Sequence, residues 1–132
     1  MSATQPQSCP CGSEQRYFDC CGRFLENGET PETAEILMRS RYSAYTLERE
    51  QYLLMTWHSS TRPSSLELTR SPSQHWLGLT VKWHLQSDTD NATVEFVARY
   101  KINGKAYRLH EISRFIRESK TWHYLDGDIL ED

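Results

Sequence analysis

Val94-Glu95-Phe96-Val97-Ala98-Arg99-Tyr100-Lys101-Ile102-Asn103-Gly104-Lys105-Ala106-Tyr107-Arg108-Leu109 holds one short turn signal between two alternating runs. Asn103-Gly104 suits a two-residue hairpin loop, because the tight turn that matches strand twist needs positive φ at both central positions. Val94, Phe96, Ala98 and Tyr100 recur at every second residue, the period at which a strand returns to one face. The turn sets the register: Ile102 opposite Lys105, Tyr100 opposite Tyr107, Ala98 opposite Leu109, Phe96 opposite Glu111 and Val94 opposite Ser113. Glu111 is thereby placed on the apolar side.

Downstream, a second turn over Arg117 to Lys120 gives one register whether its loop has two or four residues. Phe115 then faces Trp122, Ser113 faces Tyr124 and Glu111 faces Asp126, so two carboxylates meet. Upstream, Leu77, Leu79, Val81, Trp83 and Leu85 alternate with Gly78, Thr80, Lys82, His84 and Gln86, the pattern of a half-buried strand. Ser87 to Asn91 turns the chain between them, and an antiparallel meander results.

Ahead of the strands the period changes. Asn27-Gly28-Glu29-Thr30-Pro31 is a turn-rich boundary, with Thr30 able to cap a helix and Pro31 suited to its first position. Ala34, Leu37, Met38, Tyr42 and Tyr45 share one helical face; Arg41 falls within it and carries a charge inward, while Arg39 and Ser43 point away. A second short helix is expected over Tyr52 to Trp57, and Ser59 to Ser73, around Pro63 and Pro72, reads as a loop. Helices followed by a meander describe an α+β domain whose sheet buries its apolar face on the first helix.

The only four cysteines lie in Cys9-Pro10-Cys11-Gly12-Ser13 and Cys20-Cys21-Gly22. Two close pairs on a short loop deliver four soft donors to one tetrahedral ion, which favours a single structural Zn2+ held by Cys9, Cys11, Cys20 and Cys21. Four thiolates leave no open position for water, so the ion is not catalytic. Disulfides within each pair would close very small rings. Crossed disulfides and an iron–sulfur cluster are the remaining readings. Met1 to Gln7 is polar, with no apolar leader, so the expected compartment is a reducing cytoplasm.

The run C-P-C-G-S, Tyr17 and C-C-G resembles the SEC-C motif, a small zinc module also found at the carboxyl end of the SecA translocation ATPase. Leu37 to Tyr42, Thr56-Trp57-His58, Trp76 to Leu79 and Trp122 to Gly127 further resemble the YchJ-like family of uncharacterised bacterial proteins, over nearly the whole chain. This resemblance implies a nuclear-transport-factor-2-like (NTF2-like) fold, a curved antiparallel sheet packed on helices with a cavity at one end. The expected division is a SEC-C-like zinc module at 1–28 and an NTF2-like domain at 29–132. Members commonly carry a second zinc module after the last strand, where this sequence reads Glu131-Asp132, so none is expected here. Glu14 to Asp19 also lacks the lysine run common in such modules.

At 132 residues and a net charge of −3, the chain suits one small domain with an appendage and carries no basic footprint for nucleic acid. No stretch is long and apolar enough to span a membrane. Trp57, Trp76, Trp83 and Trp122 each adjoin an apolar run and read as core. Cavity candidates are Glu111, Asp126, Arg41, Ser113, Tyr124, His58 and Trp57. A desolvated carboxylate pair suits a general acid or base, whereas neutralisation by Arg41 makes the pair a polar plug. His110 and His84 face away from the apolar rows, and His75 and His123 read as exposed or rim residues.

Two functions are consistent with these features. The first is a protein-recognition adaptor: the zinc module presents Tyr17, Phe18 and Phe24 as a small apolar surface, and the SEC-C resemblance implies translocation or ribosome-associated partners. The second is a small-molecule-binding protein or enzyme using the cavity, with the zinc module as a clip. A dimer through the outer sheet face fits either.

Overall fold

The computed structural model describes residues 8–66 and 74–130; the expected leader-free start, the last part of the 59–73 loop and the carboxyl-terminal pair lie outside them. After a 3-10 turn at Tyr17–Asp19 come α1 (Gly22–Leu25), α2 (Ala34–Thr46) and α3 (Glu50–Met55). The sheet follows as β1 (Gln74–Gln86), β2 (Asn91–Ile102), β3 (Lys105–Glu118) and β4 (Thr121–Leu130), ordered β1-β2-β3-β4 and antiparallel throughout.

The first hairpin forms in the register read from its turn. Asn103 and Gly104 adopt φ of 53° and 82°, and Phe96 pairs with Glu111 and Val94 with Ser113. The second register differs. The loop is Ser119-Lys120, both at positive φ, so Glu118 pairs with Thr121 and Phe115 with Tyr124 rather than with Trp122. An irregularity between Arg114 and Phe115 then makes Leu125 an extra residue in β4, placing Asp126 opposite Arg114 and Ile129 opposite Glu111. The facing carboxylate pair therefore does not exist.

Irregularities also break the expected β1 row. Leu77 and Lys82 are extra residues, so the inward side chains are Trp76, Leu79 and Val81, whereas Leu77, Trp83 and Leu85 are exposed. His84, expected to face away, pairs with Val94 and lies 3.0 Å from Glu35 of α2.

Helix α2 starts three residues later than its Thr30-Pro31 signal, because Thr33 provides the cap: its Oγ1 accepts from the Ile36 amide at 3.1 Å. Its apolar face packs on the sheet, Leu37 and Met38 meeting Leu79, Val94, Phe96, Phe115 and Trp122. The other sides are covered too, since Ala44 packs with Phe24 of α1 and Tyr52 and Leu53 of α3. Ser43, expected to point outward, is fully buried beside Cys9, and Arg39 donates to the Cys11 carbonyl at 3.0 Å. The cysteine segment thus acts as a lid on α2, and Cys9, Cys11 and Cys21 belong to the same apolar cluster as Leu37 and Val94.

Helix α3 ends at Met55, short of the expected Trp57, because the next backbone groups are taken by β4. The Tyr124 amide donates to the Thr56 carbonyl, and the His58 amide donates to the Tyr124 carbonyl. Trp57 is thereby held beside Tyr124 in a short parallel bridge.

Candidate functional site

Among the described residues, chemistry is concentrated in two places, both against α2. The first is the cysteine cluster. A turn closed by the Gly12 amide on the Cys9 carbonyl, with Gly12 at φ 83°, brings the first pair round; the Cys9 amide ties to the Gln15 carbonyl at 2.8 Å. The second pair lies between the 3-10 turn and α1, where Gly22 is obligatory: a Cβ there would meet the Tyr17 carbonyl at 2.8 Å.

All four Sγ atoms lie within 4.8 Å of one another, and Cys11 and Cys20 are 3.6 Å apart. A tetrahedral ion with metal–sulfur bonds of about 2.3 Å sets its sulfurs about 3.8 Å apart, so the cage has the size of such a site. None of the four is in a disulfide. Cys9, Cys11 and Cys21 are buried, while Ser13 Oγ lies 3.1 Å from the half-buried Cys20 sulfur. Hydrogen bonds from Cys11 and Cys21 hold Cys9 well below the usual thiol range. Burial pushes Cys20 up to about 11, and hydrogen bonding to Cys11 and Cys9, with burial, raises Cys21. Four close thiol sulfurs ionise together only around a cation, so this donor set fits a metal ion.

The expected docking face on this module does not form. Phe24 is buried under α2, and Tyr17 packs on the core with its hydroxyl donating to Glu26 at 2.8 Å. Of the three aromatics only Phe18 is exposed, at 62%.

The second place is a cavity of about 250 Å³ between α2 and the inner face of the sheet. Met38, Arg41, Tyr42 and Tyr45, one stripe of α2, form one wall; Phe96, Ala98, Leu109 and Phe115 of the sheet form the opposite one. Trp76 closes one side, packed 5.6 Å from Tyr42 and 5.4 Å from Tyr100, ring centre to ring centre.

The structure brings Arg41, Trp57, Glu111, Ser113 and Tyr124 together in this lining. Arg41 is 5% exposed. Its Nη1 donates to the Leu53 carbonyl at 2.8 Å and to Thr56 Oγ1 at 2.7 Å, and its guanidinium lies 4.6 Å from the Tyr124 ring centre and 5.1 Å from that of Trp57. Burial holds its pKa below the usual arginine value. Among the described residues no carboxylate forms an ion pair with it.

Glu111 is directed elsewhere. Its Oε2 accepts from Ser113 Oγ at 2.7 Å and from the Tyr124 hydroxyl at 3.2 Å. It occupies space left by the missing side chain of Gly127, where a Cβ would overlap Oε2. Burial and the Glu111 carboxylate raise the Tyr124 phenol well above its ordinary value, so it stays protonated and donates.

Two candidates fall outside. Asp126 lies on the other face, with Arg114 Nε donating to its Oδ1 at 2.5 Å. His58 adjoins the cavity through Trp57 but turns away: its Nδ1 lies 2.8 Å from Ser60 Oγ, and its Nε2 lies 3.3 Å from Glu118 Oε2. The lining residues Tyr42, Tyr45 and Met38 were readable from the spacing that placed Arg41, though not as a cavity wall. Trp76 and Gly127 carried no such signal, because strand irregularities decide their positions.

The sequence profile of the YchJ middle NTF2-like domain matches residues 33–127. A UPF0225 protein of Cupriavidus metallidurans is 53% identical over 136 residues, covering 98% of this chain and 94% of the relative. One from Bordetella pertussis is 51% identical over 129 residues, covering 96% of each. Among solved structures, a SEC-C motif containing protein from Rhodopseudomonas palustris superposes with a TM-score of 0.81 at 30% identity, covering 95% of this chain and all of that one. Another from Psychrobacter arcticus gives 0.76 at 26% identity, over 96% and 84%. With its cysteines in the SEC-C arrangement and its meander in the NTF2-like fold, the chain belongs to the YchJ-like UPF0225 family.

Proposed function

We propose that this protein binds a small organic molecule in the cavity between α2 and the sheet, and that one structural Zn2+ held by Cys9, Cys11, Cys20 and Cys21 clips the amino-terminal segment onto α2. The carrying observation is Arg41: a guanidinium 5% exposed in an aromatic wall, with no carboxylate partner among the described residues. A buried charge is destabilising unless something compensates it, and a convergent charge in an apolar hollow is the usual mark of a ligand site.

Zinc is favoured over other ions by the all-thiolate donor set and the tetrahedral size of the cage. Because three of the ligands are core residues, residues 1–28 and 29–132 are proposed to fold as one unit, with the change of architecture near residue 28 marking no separable module. The buried Phe24 and the packed Tyr17 leave a protein-docking role of the module with less support than the cavity.

The test is a fragment screen by ligand-observed NMR on the zinc-loaded full chain, with the indole N–H signals of Trp57 and Trp76 reporting the site. Fragments that shift both indoles are the expected result. A screen in which ligands shift neither would end the cavity reading, whatever binds elsewhere.

A further inference from the structure

The cavity's polar groups also constrain what it takes. Resting on the cavity reading, we propose that the ligand is a single-ring aromatic molecule bearing one carboxylate, with the carboxylate at Arg41 and the ring between the aromatic walls.

Size comes first. At about 30 Å³ per water, a cavity of about 250 Å³ holds on the order of eight waters. That is room for one substituted ring. The walls supply flat apolar contact: Tyr42, Tyr45, Trp57, Trp76, Phe96 and Phe115 surround the space. Rings prefer such partners edge-to-face or offset, geometries already present between Trp57 and Tyr124 and between Phe115 and Tyr124.

Charge comes next. Both Nη1 protons of Arg41 are used on Leu53 and Thr56, and the Tyr45 hydroxyl is a further partner, so only neutral groups meet the guanidinium and its remaining donors have no carboxylate. A guanidinium presents these donors as a planar fork that matches a carboxylate. Glu111 is the acid that would otherwise neutralise Arg41, yet Ser113, Tyr124 and the space at Gly127 hold its carboxylate toward β4. The chain thus keeps an anion in the same cavity without spending it on the cation. One guanidinium matches one negative charge, whereas a dianion such as a phosphate ester would leave a second charge unmatched in an apolar cavity beside Glu111. A cationic ring would leave Arg41 unmet.

The experiment titrates the zinc-loaded full chain with benzoate, benzamide, benzylamine and phenyl phosphate, following the indole signals of Trp57 and Trp76. Benzoate is expected to bind at least about tenfold more tightly than benzamide, the difference between a charge-assisted and a neutral hydrogen bond. Arg41→Lys, checked for folding by circular dichroism, is expected to weaken benzoate about tenfold while leaving benzamide within twofold. Glu111→Gln removes the like charge and is expected to tighten benzoate severalfold, which carries the test should the Arg41 variant not fold. Equal or tighter binding of benzamide, benzylamine or phenyl phosphate would overturn the carboxylate assignment and leave the cavity reading standing. Silence of all four probes would overturn the assignment as well, and the broader fragment screen then decides the cavity reading separately.

Discussion

Gly127→Ala tests whether the glycine in β4 exists to house the Glu111 carboxylate. Gly127 is not among the glycines at positive φ, so alanine meets no backbone strain, and its propensity in a strand should by itself favour the variant by about 0.5–1 kcal/mol. Against this, the new methyl would overlap Glu111 Oε2 and come 3.0 Å from the Ile112 carbonyl. The carboxylate is the flexible party and moves. In moving it gives up the bonds from Ser113 and Tyr124 and leaves the Ser113 hydroxyl, 2% exposed, without its acceptor, a loss of about 1–3 kcal/mol. The net expectation is a destabilisation of about 1–2 kcal/mol, a fall in the urea midpoint of roughly 0.5–1 M at the usual dependence on denaturant. Equilibrium urea unfolding of zinc-loaded protein measures it. Glu111→Ala in the same background removes the clash, so the two substitutions should be coupled by at least about 0.5 kcal/mol in a double-mutant cycle. A neutral or stabilising Gly127→Ala, or strict additivity with Glu111→Ala, would refute the idea that the glycine is there for the carboxylate.

Other outcomes follow from the same contacts. On the proposed single-Zn2+ site, metal analysis of protein purified without added metal should find one zinc per chain and Cys20→Ser should bring it far below one; a stoichiometric zinc content in the variant would contradict a four-thiolate site. Deleting residues 1–28 uncovers buried Ser43 and the Arg39 side of α2, so the remainder should lose cooperative thermal unfolding; a soluble remainder with a sharp transition would show that the module is separable. Arg41→Met exchanges a buried cation for an apolar chain of similar reach but strands the Leu53 carbonyl, so its effect on the thermal midpoint should be small, within a few degrees, while capture of carboxylate fragments in the screen is lost. Burial holds the His123 imidazole below its ordinary value of 6.5, so the unfolded chain takes up a proton first as pH falls. That stability contribution is complete above 6.5 and is lost as pH drops through the folded value, and His123→Asn should flatten this part of the stability profile against pH in urea titrations.

The sequence by itself determined what depends on neighbours along the chain. Two cysteine pairs on a short loop can scarcely avoid converging, and Asn103-Gly104 sets the β2–β3 register because a two-residue loop permits only one pairing. The stripe Met38, Arg41, Tyr42, Tyr45 is likewise a consequence of helical geometry alone, and it carried Arg41 into the wall of the cavity. What the tertiary structure decided lies wherever an extra residue interrupts an alternation. Leu77 and Lys82 in β1 turn Trp76 inward and Trp83 outward, and Leu125 in β4 sends Asp126 to Arg114 and sets Gly127 beneath Glu111. A period of two carries no memory across such an irregularity, so every side chain beyond it changes face. The burial of Ser43 and Phe24 was hidden for a related reason: a helix pattern records which residues are apolar, whereas the lid that covers its polar side comes from a segment more than twenty residues away, and only packing shows that the lid is there.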